Sequence, residues 1–93
     1  MITNNEAAVI AVRYLEGVEK DSGAAMQLTK TREESFGWVF FYQSKEFLET
    51  GALNSMLAGN APFVVDRRDG AIHVLGTVYP VDVYLKEYPR LQA

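Results

Sequence analysis

Apolar residues recur with helical spacing along the first twenty positions of the chain. Ala7, Ala8, Ala11, Tyr14, Leu15 and Val18 fall on one stripe at 3.6 residues per turn. Thr3-Asn4-Asn5-Glu6 ahead of them fits a capping box: the Thr3 hydroxyl can accept the Glu6 amide while the Glu6 carboxylate reaches back to Thr3. The pattern predicts a helix to about Lys20, ended by Asp21-Ser22-Gly23. Its small alanines allow close approach to a sheet, and Glu16 and Lys20 stand at i,i+4 on the outer side in the favourable order.

The period then changes from helical to alternating. Met26 to Thr31 reads as a half-exposed strand with Met26 and Leu28 on one face. Arg32-Glu33-Glu34-Ser35 reads as a polar connection. Phe36 to Tyr42 is apolar on both faces, which predicts a central strand. Phe47 and Leu48 are expected to anchor a short helical turn that stops at Gly51, and Asn54 to Ala58 could form another turn closed at Gly59. Phe63 to Asp66 and Ala71 to Leu75 flank Arg67-Arg68-Asp69-Gly70 as a β-hairpin, with Gly70 in the left-handed conformation. A two-residue turn and a three-residue turn with a bulge both fit, and they give different registers. Pro80 suits the first position of a last helix, whose buried stripe is Val81, Tyr84, Leu85 and Tyr88 and whose stop is Pro89. The fold class expected is α+β: a four-stranded antiparallel sheet with N-terminal and C-terminal helices, in the order α-β-β-(short helical loop)-β-β-α.

Composition narrows the function classes. Residues 1–93 are expected to form one domain, since 93 residues leave no room for two. Without cysteine there can be no disulfide and no thiolate metal site. A net charge of -3 gives no basic face for nucleic acid and would weakly attract a basic partner. Met1 to Glu6 lacks the form of a signal peptide, and the apolar runs are too short to span a bilayer. A cytoplasmic protein with neither a nucleic-acid nor a membrane partner is expected.

Several stretches in order resemble the immunity protein 35 family, including its YrhB-like members. They are Gly37-Trp38-Val39-Phe40-Phe41-Tyr42, Phe47-Leu48-Glu49-Thr50-Gly51 and Leu57-Ala58-Gly59-Asn60-Ala61-Pro62. Val65-Asp66, Gly70-x-Ile72, Gly76-Thr77 and Tyr84-Leu85-x-x-Tyr88 continue the series. The resemblance runs from the first helix to Tyr88, and its most specific piece is Leu-Ala-Gly-Asn-Ala-Pro ahead of an apolar strand and an Asp-Gly turn. It implies a non-catalytic protein that neutralises a cognate bacterial toxin by stoichiometric binding, as part of a polymorphic toxin system. The alternative it carries is a small heat-stable chaperone-like protein that binds unfolded clients. It implies no cofactor and no catalytic residues.

The residues themselves offer little chemistry. His73 is the single histidine and has no Cys or second His to share a metal. The pairs Glu33-Glu34, Glu46/Glu49 and Asp66/Asp69 read as solvated faces rather than acid-base or metal sites. There is no nucleophile elbow, Walker-type loop or dinucleotide-binding glycine pattern. Trp38, Phe40 and Tyr42 share a core face, with Tyr42 at the strand end where it could reach a partner. Arg67 and Arg68 read as solvated, or as a grip for an acidic group on a partner. The expected contact surface is Glu33, Glu34, Tyr42, Glu46 and Glu49, in or beside predicted loops next to the central strand. Val9 and Ile10, off the main helical stripe, hint at an exposed apolar patch. Self-association stays open: the Met26 to Thr31 edge could pair across a two-fold axis, or Lys30 and Arg32 could protect it.

Overall fold

The computed structural model describes residues 1–51, 61–76 and 79–91, the last five by their backbone alone. Helix α1 spans Asn4–Ser22 and is capped as its sequence requires. The Thr3 hydroxyl accepts the Glu6 amide at 3.2 Å and the Glu6 carboxylate accepts the Thr3 amide at 3.1 Å. Strand β1 spans Met26–Glu34 and β2 spans Gly37–Ser44. The short helix α2, Lys45–Thr50, starts on the Ser44 hydroxyl and ends at Gly51. Strands β3, Phe63–Asp66, and β4, Ile72–Val74, follow, and helix α3 spans Val81–Leu91. The sheet order is β1-β2-β3-β4, antiparallel throughout.

The two long helices cover opposite faces of this sheet. On one face Ala7, Ala11 and Leu15 of α1 pack with Met26, Trp38, Phe40, Tyr42, Phe63 and Val65. The Phe40 and Phe63 rings stack there at 5.5 Å, and Tyr14 leans on Phe63 at 4.3 Å. On the other face Leu85 of α3 packs with Val39, Val64 and Leu75, flanked by Phe36, Phe41, Val81 and Tyr84. Successive strand residues point to opposite sides, so the central stretches of β2 and β3, Trp38 to Tyr42 and Phe63 to Val65, must be apolar at every position to fill both cores. That is why Phe63 to Val65 is wholly buried.

Several expectations need correction. Arg32, Glu33 and Glu34 are not a connection but the end of β1, paired with Val39, Trp38 and Gly37. Only Ser35 and Phe36 turn the chain. The tightness comes from Gly37, where φ is 152° and an added Cβ would lie 2.1 Å from the Val65 carbonyl oxygen. Ala8 is exposed rather than on the inner stripe, and Glu16 and Lys20 form no ion pair among the described residues. The half-exposed character of β1 holds, but its register shifts between Leu28 and Lys30. This irregularity turns Lys30 onto the Phe41 side, its ammonium 5.8 Å from that ring.

The β3–β4 turn is longer than either short turn that the sequence allows. Four residues, 67–70, lie between Asp66 and Ala71; the Asp66 amide donates to the Ala71 carbonyl at 2.8 Å, and the Gly70 amide donates to the Asp66 carbonyl at 2.8 Å. Two carboxylates favour this form: Asp66 accepts the Arg68 amide at 2.8 Å and Asp69 accepts the Ala71 amide at 2.9 Å. Gly70 has the left-handed conformation expected, at φ 76°. At the last helix, Pro80 stands just before α3 and its carbonyl accepts the Val83 amide. The helix passes Pro89 and ends at Leu91; a proline this close to the end removes one amide donor without needing to break the chain direction. The predicted turn at Asn54 to Ala58 lies outside the described residues, as does the Tyr88 side chain.

Candidate functional site

The expected contact residues lie at two ends of one hairpin. Glu33 pairs with Trp38 at the tip of β1–β2, whereas Glu46 and Glu49 follow Ser44 at the other end. Ser44 lies six positions along β2 from Trp38, roughly 20 Å. The five residues therefore do not form one patch.

At the tip, charge is bound up within the molecule. The Arg67 guanidinium lies 4.4 Å from the centre of the Trp38 ring. It donates to the Glu33 carboxylate at 2.9 Å and to the Glu34 carbonyl at 2.9 Å. Arg32 donates to Glu34 and to Asp82 of α3, each at 3.0 Å. The Asp82 and Glu34 carboxylates raise the Arg32 pKa above its ordinary value, with the Asp82 hydrogen bond the largest cause. Asp66, expected on a solvated face, is 1% exposed. Its carboxylate is held by the Arg68 amide and guanidinium. Burial there follows from pairing, since Asp66 sits opposite Gly37 on the inner strand β3. Arg67 and Arg68 are thus partners of local carboxylates rather than a loose solvated pair. Beneath them the Trp38 indole Nε1 is buried with no hydrogen-bond partner among the described residues.

Tyr42 occupies the core. It is 9% exposed, with its ring 6.1 Å from that of Phe63, and burial raises its pKa, with a smaller contribution from Tyr14. A partner could touch only its rim. His73 is exposed on the edge strand β4, and no group of three or more metal-ligating side chains occurs among the described residues.

The α2 end differs. Its helix is fixed at both ends: the Ser44 hydroxyl accepts the Phe47 amide at 3.2 Å, and the Gly51 amide donates to the Phe47 carbonyl at 2.7 Å. The Lys45 amide also donates to Ala25, tying α2 to the start of β1. Phe47 is half-buried, but Leu48, expected as a second anchor, is 45% exposed. Consecutive helical residues point about 100° apart, so a helix touching the sheet on one side buries only one of them. Glu46 and Glu49 are exposed and form no ion pair among the described residues. The result is an exposed ridge that presents Glu46, Leu48 and Glu49 beside Lys45. A cleft of about 440 Å³ opens beside it, between Val12, Leu15 and Glu16 of α1 and Met26 and Leu28 of β1, with Lys45 on its rim.

The sequence named Glu46 and Glu49 but missed Leu48 as a surface residue, because Phe-Leu ahead of a glycine reads the same whichever of the two is buried. It also missed Val12, which is 47% exposed on the outer side of α1. Helical periodicity places Val12 there, about 100° away from Ala11.

No solved structure matches the chain. The uncharacterized protein YrhB of Escherichia coli (strain K12) is 42% identical over 88 residues, covering 95% of this chain and 89% of that protein. The model of the family described as Immunity protein 35 matches residues 5–89. This chain belongs to the immunity protein 35 family.

Proposed function

We propose that this protein is a non-catalytic immunity protein that neutralises a cognate toxin domain in the cytoplasm by stoichiometric binding. The observation that carries the reading is family membership over residues 5–89. The α2 ridge supports it: Glu46, Leu48 and Glu49 are exposed on a helix capped at both ends, so they lose little freedom on binding. A protruding acidic ridge suits a basic toxin surface, and complementary charge speeds such an encounter. Glu33 extends the contact at the far end of the hairpin, where Arg67 already orients it. Glu34, half-buried under Arg32, and Tyr42, in the core, act by holding these surfaces in place.

The chaperone-like alternative needs a broad apolar surface. The exposed large apolar side chains among the described residues are instead spread over the N-terminus, α1, α2, β4, α3 and Tyr79 just before α3. Affinity capture from a lysate of the protein's own species, read by mass spectrometry, tests the proposal. The expected result is one dominant partner at one-to-one stoichiometry, bound at least about tenfold more weakly by Glu46→Lys/Glu49→Lys. Capture of many unrelated, heat-enriched proteins would favour the chaperone-like reading. An affinity unchanged by Glu46→Lys and by Glu33→Lys would remove both contact surfaces.

A further inference from the structure

Helix α1 is two-sided. Ala7, Ala11 and Leu15 are buried against the sheet, yet the outward side carries Val9 and Val12 in solvent, with Val9 52% exposed and Ala8 exposed at the border of the two sides. Asn5, Val9, Val12 and Glu16 run along this outer side at spacings of four, three and four, the seam of a helix meant to pack on another helix. Glu6 and Arg13 flank the seam on the same edge. Arg13 and Glu16 form no ion pair among the described residues, although both have oppositely charged neighbours within one turn or so.

We propose that the outer side of α1 is covered by α1 of a second copy of this chain, antiparallel across a two-fold axis. Antiparallel pairing is the arrangement that this pattern satisfies against itself. Val9 of one copy meets Val12 of the other, twice. Asn5 meets Glu16, so an amide donor faces a carboxylate. In an antiparallel pair the same edges meet, so Arg13 faces Glu6, again twice. A parallel pair would set Glu16 against Glu16 on the seam and would keep Arg13 and Glu6 apart, because opposite edges meet there. The axis lies on α1 rather than on the free edge of β1, because the irregularity at Leu28/Lys30 interrupts that edge and Lys30 and Arg32 charge it. The contact is smaller than the ~1,200–2,000 Å² of a standard stable interface. The dimer is therefore weak, with a dissociation constant on the order of 100 µM. This inference is independent of the toxin reading, which uses α2 and the hairpin tip.

Sedimentation equilibrium of the full chain, up to about 1 mM, tests it. The expected result is a monomer–dimer equilibrium weakened at least about tenfold by Val9→Ser/Val12→Ser and by Arg13→Glu. Combining Arg13→Glu with Glu6→Arg exchanges the two charges and is expected to restore association. Circular dichroism of each variant separates lost pairing from a lost helix. A chain monomeric at every concentration overturns the proposal, as does a dimer that the valine pair leaves unchanged. If the chain is monomeric and the valine variant loses capture of a different protein, the face belongs to that partner and the proposal fails.

Discussion

Acidic side chains stand at both ends of the β1–β2 hairpin, but in different circumstances. At the tip, Glu33 and Glu34 meet Arg67 and Arg32, Asp66 is buried, and Arg67 lies over Trp38. At the α2 end, Glu46 and Glu49 face water without ion pairs among the described residues. The two ends carry similar residues, so residue type alone does not separate a carboxylate engaged within the fold from one left open to solvent. What separates them is whether the sheet brings a cation alongside. Strand pairing sets Asp66 opposite Gly37 and so carries Arg67 to the Glu33/Trp38 pair. Among the described residues no cation pairs with Glu46 or Glu49 of α2, which is held by its Ser44 and Gly51 caps.

Both ends hang from the same core, so the largest expected effect is common to them. Phe63→Ala removes the ring against which Phe40, Tyr14 and Tyr42 pack. It should cost about 3–5 kcal/mol in urea unfolding, and a loss below about 1 kcal/mol would mean that the two ends do not share this core. Next, Asp66→Ala should cost about 2 kcal/mol by removing the buried charged acceptor of the Arg68 amide and guanidinium. Measuring its unfolding free energy beside that of Asp69→Ala, on the exposed side of the same turn, tests whether burial is the cause. A smaller loss, about 1 kcal/mol, is expected for Arg67→Ala, which gives up the Trp38 face and the Glu34 carbonyl. Glu33→Ala should cost less than Arg67→Ala, because the Glu33 carboxylate is largely exposed and screened. A double-mutant cycle measures that coupling.

Tyr42 supplies a pH test of the core that supports the α2 end. Its folded pKa is raised above the ordinary tyrosine value. The neutral phenol is therefore favoured in the folded state, and its contribution is fully present below the unfolded pKa near 10. Stability should be flat with respect to this group at neutral pH and fall as pH rises above that value toward the folded pKa. Tyr42→Phe should flatten the alkaline part of a stability–pH curve; an identical slope would place Tyr42 in water. The smallest effect on stability belongs to α2. Glu46→Lys/Glu49→Lys should leave the unfolding free energy within about 0.5 kcal/mol of the parent, while reducing affinity for the partner. A destabilisation above about 1 kcal/mol would show that these carboxylates hold the fold, as those at the tip do, and would erase the contrast.

The chain's local patterns were enough to reveal the order of its helices and strands, though not every boundary. The Thr3/Glu6 capping box, the apolar run of β2, the turn at Gly70 and the stop at Gly51 each depend on residues a few positions apart, so spacing alone reveals them. Only the tertiary structure decided what lies between elements. Arg67 and Glu33 are 34 positions apart, and Arg32 and Asp82 are 50 apart. Arg32 to Glu34 read as a loop because their charges look solvated, until the sheet places an arginine beside each carboxylate. Asp66 read as part of a solvated face for the same reason, although antiparallel pairing with Gly37 buries it. Caps and periodicity act within one stretch of chain, whereas the burial and pairing of a charge depend on what the sheet brings next to it. The sequence could therefore name Glu33, Glu34, Glu46 and Glu49 together, and only the fold could set the first two apart from the last two.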